Sequence, residues 1–318
     1  MYYVGIDIGG MSVKTGIVNT TGEIVKQSAI VTEYIEPSLF TKQIGNQVAK
    51  LIEETGVSYD EIKGIGVGCP GAINGKEGVV IYSSNLPHLK GFNLKASLEQ
   101  VTGKPVRIAN DADSATLGEV IFGSAKNYSS VIMLTIGTGI GGGIVIDKKL
   151  YEGTRGTAAE LGHIVMRPHG LKCGCGRRGC FEKYASASAL IRLTKEEMKR
   201  NSQTSMWQEV GGDINAVNGK TSFVCAKKGD KSAEKVVNRF ISYLGEGVLD
   251  YLNIFRPEAI VLGGGISKEG EYLTSRLKQY LEKYSYGYVG TPRAEILTAT
   301  LGNNAGIVGA ASLVAEEF

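Results

Sequence analysis

A chain of 318 residues, 42% hydrophobic and 21% charged, has an ordinary globular composition and is long enough for two domains or lobes. A net charge of +3, with only short basic runs at 148–149, 177–178 and 227–228, argues against a nucleic-acid partner, and no run of about 18 apolar residues offers a membrane span. The opening MYYVGIDIGG lacks the basic leader of an export signal, and the odd count of five cysteines then predicts reduced thiols in a cytoplasmic protein.

The predicted elements begin with strands at 2–8 and 12–19. NTTGEIVKQSAIV (19–31) adds a turn and a third strand, making a meander. Residues 37–55 read as a helix, since Leu39, Phe40, Ile44, Val48, Leu51 and Ile52 recur at helical spacing. IKGIGVGCPGAI (62–73) is a buried strand ending in a Pro-Gly turn. FNLKASLEQVTG (92–103) is a helix stopped by Gly103. PVRIAN (105–110) is a strand, and DADSATLGEVIFG (111–123) a helix opening with acids. SVIMLTIGTGIGGGIVIDKKL (130–150) forms a second meander. Its MLTIGTGIGGGIVID matches GIDIGGMSVKTGIVN of the first, which suggests two related α/β lobes. The rest is mostly helical, interrupted by strands in EAIVLGG (258–264) and AEILTAT (294–300), and NNAGIVGAASLVAEE (303–317) closes the chain as a helix. The 44 glycines cluster at 9–10, 64–71, 137–143 and 263–265, at the ends of apolar runs.

Three of those clusters carry one chemical idea. In DIGGMSVK (7–14) the turn at Gly9 and Gly10 exposes backbone N–H groups suited to phosphate oxygens. Asp7 can hold magnesium through water, and Ser12 and Lys14 can reach phosphates. A plain β-hairpin is the alternative, and no helix follows the glycines as a Walker or dinucleotide motif requires. TIGTGIGGG (135–143) repeats the device at Thr138 and Gly139. VLGGGIS (261–267) offers Gly264 and Gly265, where backbone can pass close to a base or ribose. Together the turns point to a bound nucleotide.

ANDADS (109–114) supplies the carboxylate that a phosphoryl acceptor needs. Asp111 stands where a strand gives way to a helix, and the helix N-terminus favours its ionised form. A plain N-cap at Asp111 and a first-turn acid at Asp113 are the alternatives. In GTAAELGHIV, Glu160 and His163 fall on one side of a helical turn, and Glu160 and Glu182 are candidate acceptors for sugar hydroxyls. His163, Cys173, Cys175 and Cys180 form H-x9-C-x-C-x4-C. One imidazole and three thiolates make a closed tetrahedral zinc site, which is structural, with glycines 174, 176 and 179 letting the backbone wrap the ion. A redox pair fits less well because the spacing is C-x-C. Cys69 and Cys225 read as buried apolar residues, and His88 and His169 as surface or structural.

In their order, DIGGMSVK, GVGCPGAI, SSNLP, NDAD, TIGTGIGGG, ELGH, CGCGRRGCFEKYAS and LGGGIS resemble the ROK family of bacterial repressors, open reading frames and sugar kinases, along nearly the whole chain. The likeness is to the kinase branch, the ATP-dependent glucokinases above all. It implies an actin-like ATPase (ribonuclease H-like) α/β fold of two lobes with an interlobe cleft. Residues 1–112 and 300–318 would form the small lobe and 113–299 the large one. It implies ATP, Mg2+ and structural Zn2+, with Asp111 as catalytic base. Gly71, Asn85, Asn110, Glu160, His163 and Glu182 would contact the sugar. The expected reaction is phosphorylation of glucose at its 6-hydroxyl. N-acetylmannosamine or a β-glucoside is the alternative acceptor, and a non-catalytic sugar sensor the remoter one. The expected assembly is a homodimer or tetramer. Two positions depart from the pattern: Met11 stands where threonine is usual, and Asp113 where asparagine is. The family's repressors carry an N-terminal helix-turn-helix, for which a first strand at residue 2 leaves no room.

Overall fold

A computed structural model of the chain describes residues 1–287 and 293–315. They fall into two compact units. One comprises residues 1–130, 143–159 and the stretch from Thr300; the other comprises 131–142 and 160–299.

The first unit is built on a five-stranded sheet of order β3-β2-β1-β4-β7. Its elements are β1 (Tyr2–Ile8), β2 (Ser12–Asn19), β3 (Ile24–Val31), α1 (Pro37–Thr55), β4 (Ile62–Cys69), a hairpin of β5 (Ala72–Asn74) and β6 (Val79–Tyr82), α2 (Leu94–Thr102), β7 (Val106–Asn110) and α3 (Asp111–Ile121). β1 is antiparallel to β2 and parallel to β4, which is parallel to β7. The two-residue period of a strand then sorts side chains by face. Val4, Ile6 and Ile8 of β1, with Ile65, Val67 and Cys69 of β4, share a core with Phe40, Ile44, Val48 and Leu51 of α1 and Leu94 and Leu98 of α2. Leu39, counted in the apolar stripe of α1, is instead 54% exposed.

The opposite face is floored by glycine. A methyl on Gly5 would lie 1.9 Å from the Ile307 carbonyl oxygen, and one on Gly66 would lie 1.6 Å from that of Ala310. Both carbonyls belong to the last helix of the chain, which the missing side chains allow to lie directly on β1 and β4. Gly66 therefore serves helix-on-sheet contact rather than a turn, and Gly64 leaves room for the Val314 side chain, whose Cβ would lie 3.1 Å from a methyl there.

The second sheet has the order β10-β9-β8-β11-β12. Its strands are β8 (Val131–Ile136), β9 (Ile140–Ile146), β10 (Lys149–Leu150), β11 (Ala259–Gly264) and β12 (Glu295–Thr298). The helices of the second unit are α4 (Glu182–Ala185), α5 (Ala187–Arg200), α6 (Met206–Glu209), α7 (Thr221–Lys227), α8 (Lys231–Phe255) and α9 (Glu271–Tyr284). α8 is the longest, at 25 residues. The Asp230 side chain caps it by accepting from Ala233 N–H at 2.9 Å, and Val236, Val237, Phe240, Leu244 and Val248 bury its inner face.

The closing helix α10 is Ala305–Ser312. Of the stretch expected to be helical to residue 317, Glu316 and Glu317 lie outside the described residues. Residues 113–130 and 143–159, expected in the large lobe, cluster with the first unit. Packing of α3 accounts for the former. A methyl on Gly309 of α10 would lie 1.7 Å from the Ser114 carbonyl oxygen, so the two helices touch backbone to backbone. The Glu119 carboxylate, fully buried in α3, accepts from Leu301 N–H (2.7 Å), Ser124 N–H (2.8 Å) and two hydroxyls.

Candidate active site

In the first unit the strand alternation of β1 puts Asp7 on the glycine-floored face with Tyr3 and Gly5. Its carboxylate abuts Gly306 in the first turn of α10, where a methyl would lie 2.6 Å from Asp7 Cγ. Burial raises the Asp7 pKa, and Lys14, its partner across the β1–β2 ladder with Nζ 3.9 Å from Oδ2, opposes the rise. A half-buried carboxylate with one cation beside it fits a further cation, and magnesium suits an oxygen donor of this kind.

Asp111 is the first residue of α3. Gly68 of β4 lies beneath it, with space for a methyl only 3.5 Å from Asp111 Cα. Asn110 is the N-cap: its Oδ1 accepts from Ala112 N–H (2.8 Å), and its Nδ2 donates to the Gly71 carbonyl (2.9 Å). Asn110 therefore ties the α3 start to the turn at Gly71, which has φ +116° and would place a methyl 2.2 Å from the Tyr82 carbonyl oxygen. Asn85 is exposed in the loop after β6, beside Gly10. Asp113, the second carboxylate expected near the site, is 5% exposed, and a methyl on Gly143 would lie 3.1 Å from its Cα.

In the second unit the turn Leu161–His163 rests on the start of β9, where a methyl on Gly162 would meet the Ile140 carbonyl oxygen at 2.1 Å. Tyr251 of α8 fixes it from below by donating its hydroxyl to the Leu161 carbonyl at 2.6 Å. The chain from Val165 to Cys180 folds as a knuckle, with Val165 bridging Cys180 and Lys172 bridging Arg178. It brings His163, Cys173, Cys175 and Cys180 together, with one ligand atom from each, all within 4.8 Å of one another. Cys175 and Cys180 sulfurs are 3.6 Å apart, and Cys173 Sγ is 3.7 Å from His163 Nδ1. A tetrahedral ion with Zn–S near 2.3 Å has ligand–ligand edges of about 3.8 Å, so the donor set fits zinc. Burial pushes the Cys173 thiol up to about 12 and raises Cys180, whereas the Arg177 backbone N–H lowers Cys175. The ion's charge would supply what two of the thiolates lack.

Glu182 connects this cluster to the β8–β9 turn. Its Oε1 accepts from Cys173 Sγ at 3.1 Å, and its Oε2 lies 2.5 Å from where a methyl on Gly139 would stand. Thr138 is exposed at the tip of that turn. Gly264 ends β11 at φ +82°, where a methyl would meet the Ile136 carbonyl oxygen at 2.4 Å, and Gly265 follows with nothing within 4 Å of a methyl. Glu160 is exposed and accepts from His163 N–H through its carbonyl, at 3.0 Å.

The model of the ROK family matches residues 3–317. The chain belongs to the ROK family. It is 36% identical to a glucokinase of Thermotoga maritima, covering 99% of this chain and 98% of that one. It is 31% identical to an N-acetylmannosamine kinase of Haemophilus influenzae, over 99% and 96%. A ROK glucokinase of Streptomyces griseus, solved in complex with glucose and AMPPNP, superposes with a TM-score of 0.80 at 34% identity, over 98% and 99%. The fold is accordingly the actin-like ATPase fold of ROK proteins.

Against this ROK frame, the expected zinc ligands converge in the second unit, with Glu182 alongside. Asp7 and Lys14 pair in the first, as do Asn110 and Gly71. Of the knuckle glycines, Gly176 and Gly179 take positive φ, and a methyl on Gly179 would meet the Arg167 carbonyl oxygen at 1.7 Å; Gly174 shows neither constraint. Sequence reasoning missed Gly306, Glu119, Tyr251 and Gly247. Gly247 had a signal: a glycine inside a helix marks close approach, and here a methyl would meet the Phe181 ring at 2.4 Å.

Proposed function

We propose that the chain is an ATP-dependent hexose kinase that transfers the γ-phosphoryl group of ATP to the 6-hydroxyl of glucose. The observation that carries the reading is Asp111 at the head of α3, seated by Gly68 and the Asn110 cap, in a full-length relative of ROK glucokinases.

On this reading Asp111 takes the proton of the 6-hydroxyl as that oxygen bonds to the γ-phosphorus, while the bond from phosphorus to the bridging oxygen breaks and ADP departs. The N-terminus of α3 favours the ionised base. Gly9, Gly10, Ser12, Thr138, Gly139, Gly264 and Gly265 are assigned to ATP. Gly71, Asn85, Asn110, Glu160, His163 and Glu182 are assigned to the sugar. Asp7, with Lys14 beside it, would hold magnesium, which supplies charge neutralisation on the phosphates. Zinc on His163 and the three cysteines would fix the turn that carries Glu160 and His163.

A coupled ADP-release assay over glucose, N-acetylmannosamine and a β-glucoside is the test. Higher kcat/KM for glucose supports the reading. Preference for N-acetylmannosamine would transfer the chain to that kinase class, which its 31% relative makes the second candidate. No ADP release with any sugar would replace the kinase by a non-catalytic sensor, and release independent of sugar would replace it by a plain ATPase. No helix among the described residues is long and apolar enough to cross a membrane. The reading places the enzyme in the cytoplasm as a homodimer or tetramer.

A further inference from the structure

The β1–β2 turn has four successive carbonyls, and each is claimed by a donor. The Gly9 carbonyl accepts from Thr32 Oγ1 at 2.7 Å, and that of Gly10 from the Tyr34 hydroxyl at 3.3 Å. The Met11 carbonyl accepts from Thr32 N–H at 3.0 Å, and that of Ser12 from Gly9 N–H at 2.9 Å. A peptide carbonyl turned toward a phosphate would repel it, whereas a peptide N–H attracts it. With all four carbonyls engaged, none is left to repel an anion from the turn's remaining amides, that of Gly9 being spent on Ser12. Three of the four bonds come from Thr32 and Tyr34, just beyond β3. Thr32 is 5% exposed, so its bonds are shielded from water.

Tyr34 makes a second connection. Its hydroxyl also lies 3.0 Å from the Asn85 carbonyl. One O–H proton is thus shared between the glycine turn and the loop that carries Asn85. The ring is held edge-on to His88, with centroids 5.3 Å apart, and His88 is held in turn by Phe40 at 5.5 Å.

We propose that Thr32 and Tyr34 are positioning residues for the reaction: they turn the amides of the β1–β2 turn toward the ATP phosphates, and Tyr34 couples that turn to the Asn85 loop. The proposal rests on the ATP-dependent sugar kinase reading above. It also accounts for Met11, which is 87% exposed. The hydroxyl absent from position 11 is not needed to hold the turn, because the hold comes from position 32.

The test is calorimetric binding of AMPPNP with magnesium, and of glucose, to the full chain, with melting temperature recorded for each variant. Thr32→Val keeps the shape and leaves the Gly9 carbonyl without its hydroxyl donor. It should weaken AMPPNP about tenfold and leave glucose binding without nucleotide unchanged. Thr32→Ser should restore AMPPNP binding, which a general structural defect would not allow. The parent should bind AMPPNP about fivefold or more tighter with glucose present. In Tyr34→Phe, which retains the ring against His88, that factor should fall toward one. Equal AMPPNP affinity in Thr32→Val and parent, failure of serine to rescue, or an unchanged factor in Tyr34→Phe would overturn the proposal while leaving the kinase reading intact. A parent that does not bind AMPPNP at all would overturn the kinase reading and the proposal with it.

Discussion

Asp111 and Asp230 both stand at a helix start, and their surroundings set different tasks. Asp230 is spent on structure: against the cost of burial, Ala233 N–H, Ser205 and Thr204 together hold its carboxyl down to about 2. A carboxyl whose folded pKa lies below its ordinary 3.8 contributes stability that is fully present above 3.8 and lost as pH falls toward 2. Asp230→Ala should therefore cost about 1–2 kcal/mol near neutral pH, where the cap is ionised. Urea unfolding at a series of pH values should show the gap between variant and parent closing as the solution is acidified through that window. Asp111 is assigned to chemistry. Asp111→Asn keeps the shape and removes the base, so turnover should fall by about 10²- to 10⁴-fold with glucose affinity nearly unchanged. Near-normal turnover would remove Asp111 from the base role. The sequence pointed to this residue because the chain also carries three glycine turns suited to a nucleotide; alone, an acid at a helix start reads as a cap. It did not point to Glu119, because one glutamate inside a helix looks like any other until its four donors are seen.

At the scale of elements, β4 shows how a glycine pattern can be misread. IKGIGVGC alternates glycine with apolar residues from Gly64 on; Gly66 faces α10, Gly68 faces α3, and Gly64 faces Val314 just beyond α10. Removing side chains from one face lets a helix backbone approach the sheet, which brings Gly306 to Asp7 and the α3 start to its place over Gly68. Gly66→Ala should destabilise the protein by about 3 kcal/mol or more, since the added carbon meets a backbone carbonyl that cannot rotate away. Gly174→Ala is the contrast, for a methyl there has nothing within 4 Å and should shift the urea midpoint little. Equal effects from the two would refute the helix-floor account. The elements themselves followed from periodicity, as with α1 at Pro37–Thr55 and the Gly103 stop of α2.

At the scale of the molecule, each unit has its own fastening. Glu119 anchors the return to α10 in the first. In the second the zinc ligands, Phe181 and Tyr251 secure the turn at 161–163 to α8. The Phe181 and Tyr251 rings meet edge-on with centroids 6.2 Å apart. Purified protein should carry one zinc per chain, and Cys175→Ser should lose it. Hydrogen exchange on the zinc-stripped chain should then quicken across 161–185 and much less across 300–312. Uniform acceleration, or none, would show that the cluster does not hold the second unit in particular.

The sequence by itself determined the family, the order and kind of most of the elements though not the β5–β6 hairpin, and the candidates: the four prospective zinc ligands, Asp7 and Asp111. These rest on local features: residue type, spacing, periodicity and turn chemistry. Only the tertiary structure decided that Gly5, Gly66 and Gly309 exist for backbone contact and that residues 113–130 fold with the first unit. The same holds for Thr32 and Tyr34, which claim the carbonyls of a turn some twenty residues away, and for the seating of Asp7 against Gly306. Each of these depends on which backbones come within van der Waals reach, and spacing along a chain does not encode that distance until the sheet has formed and α10 has returned to it.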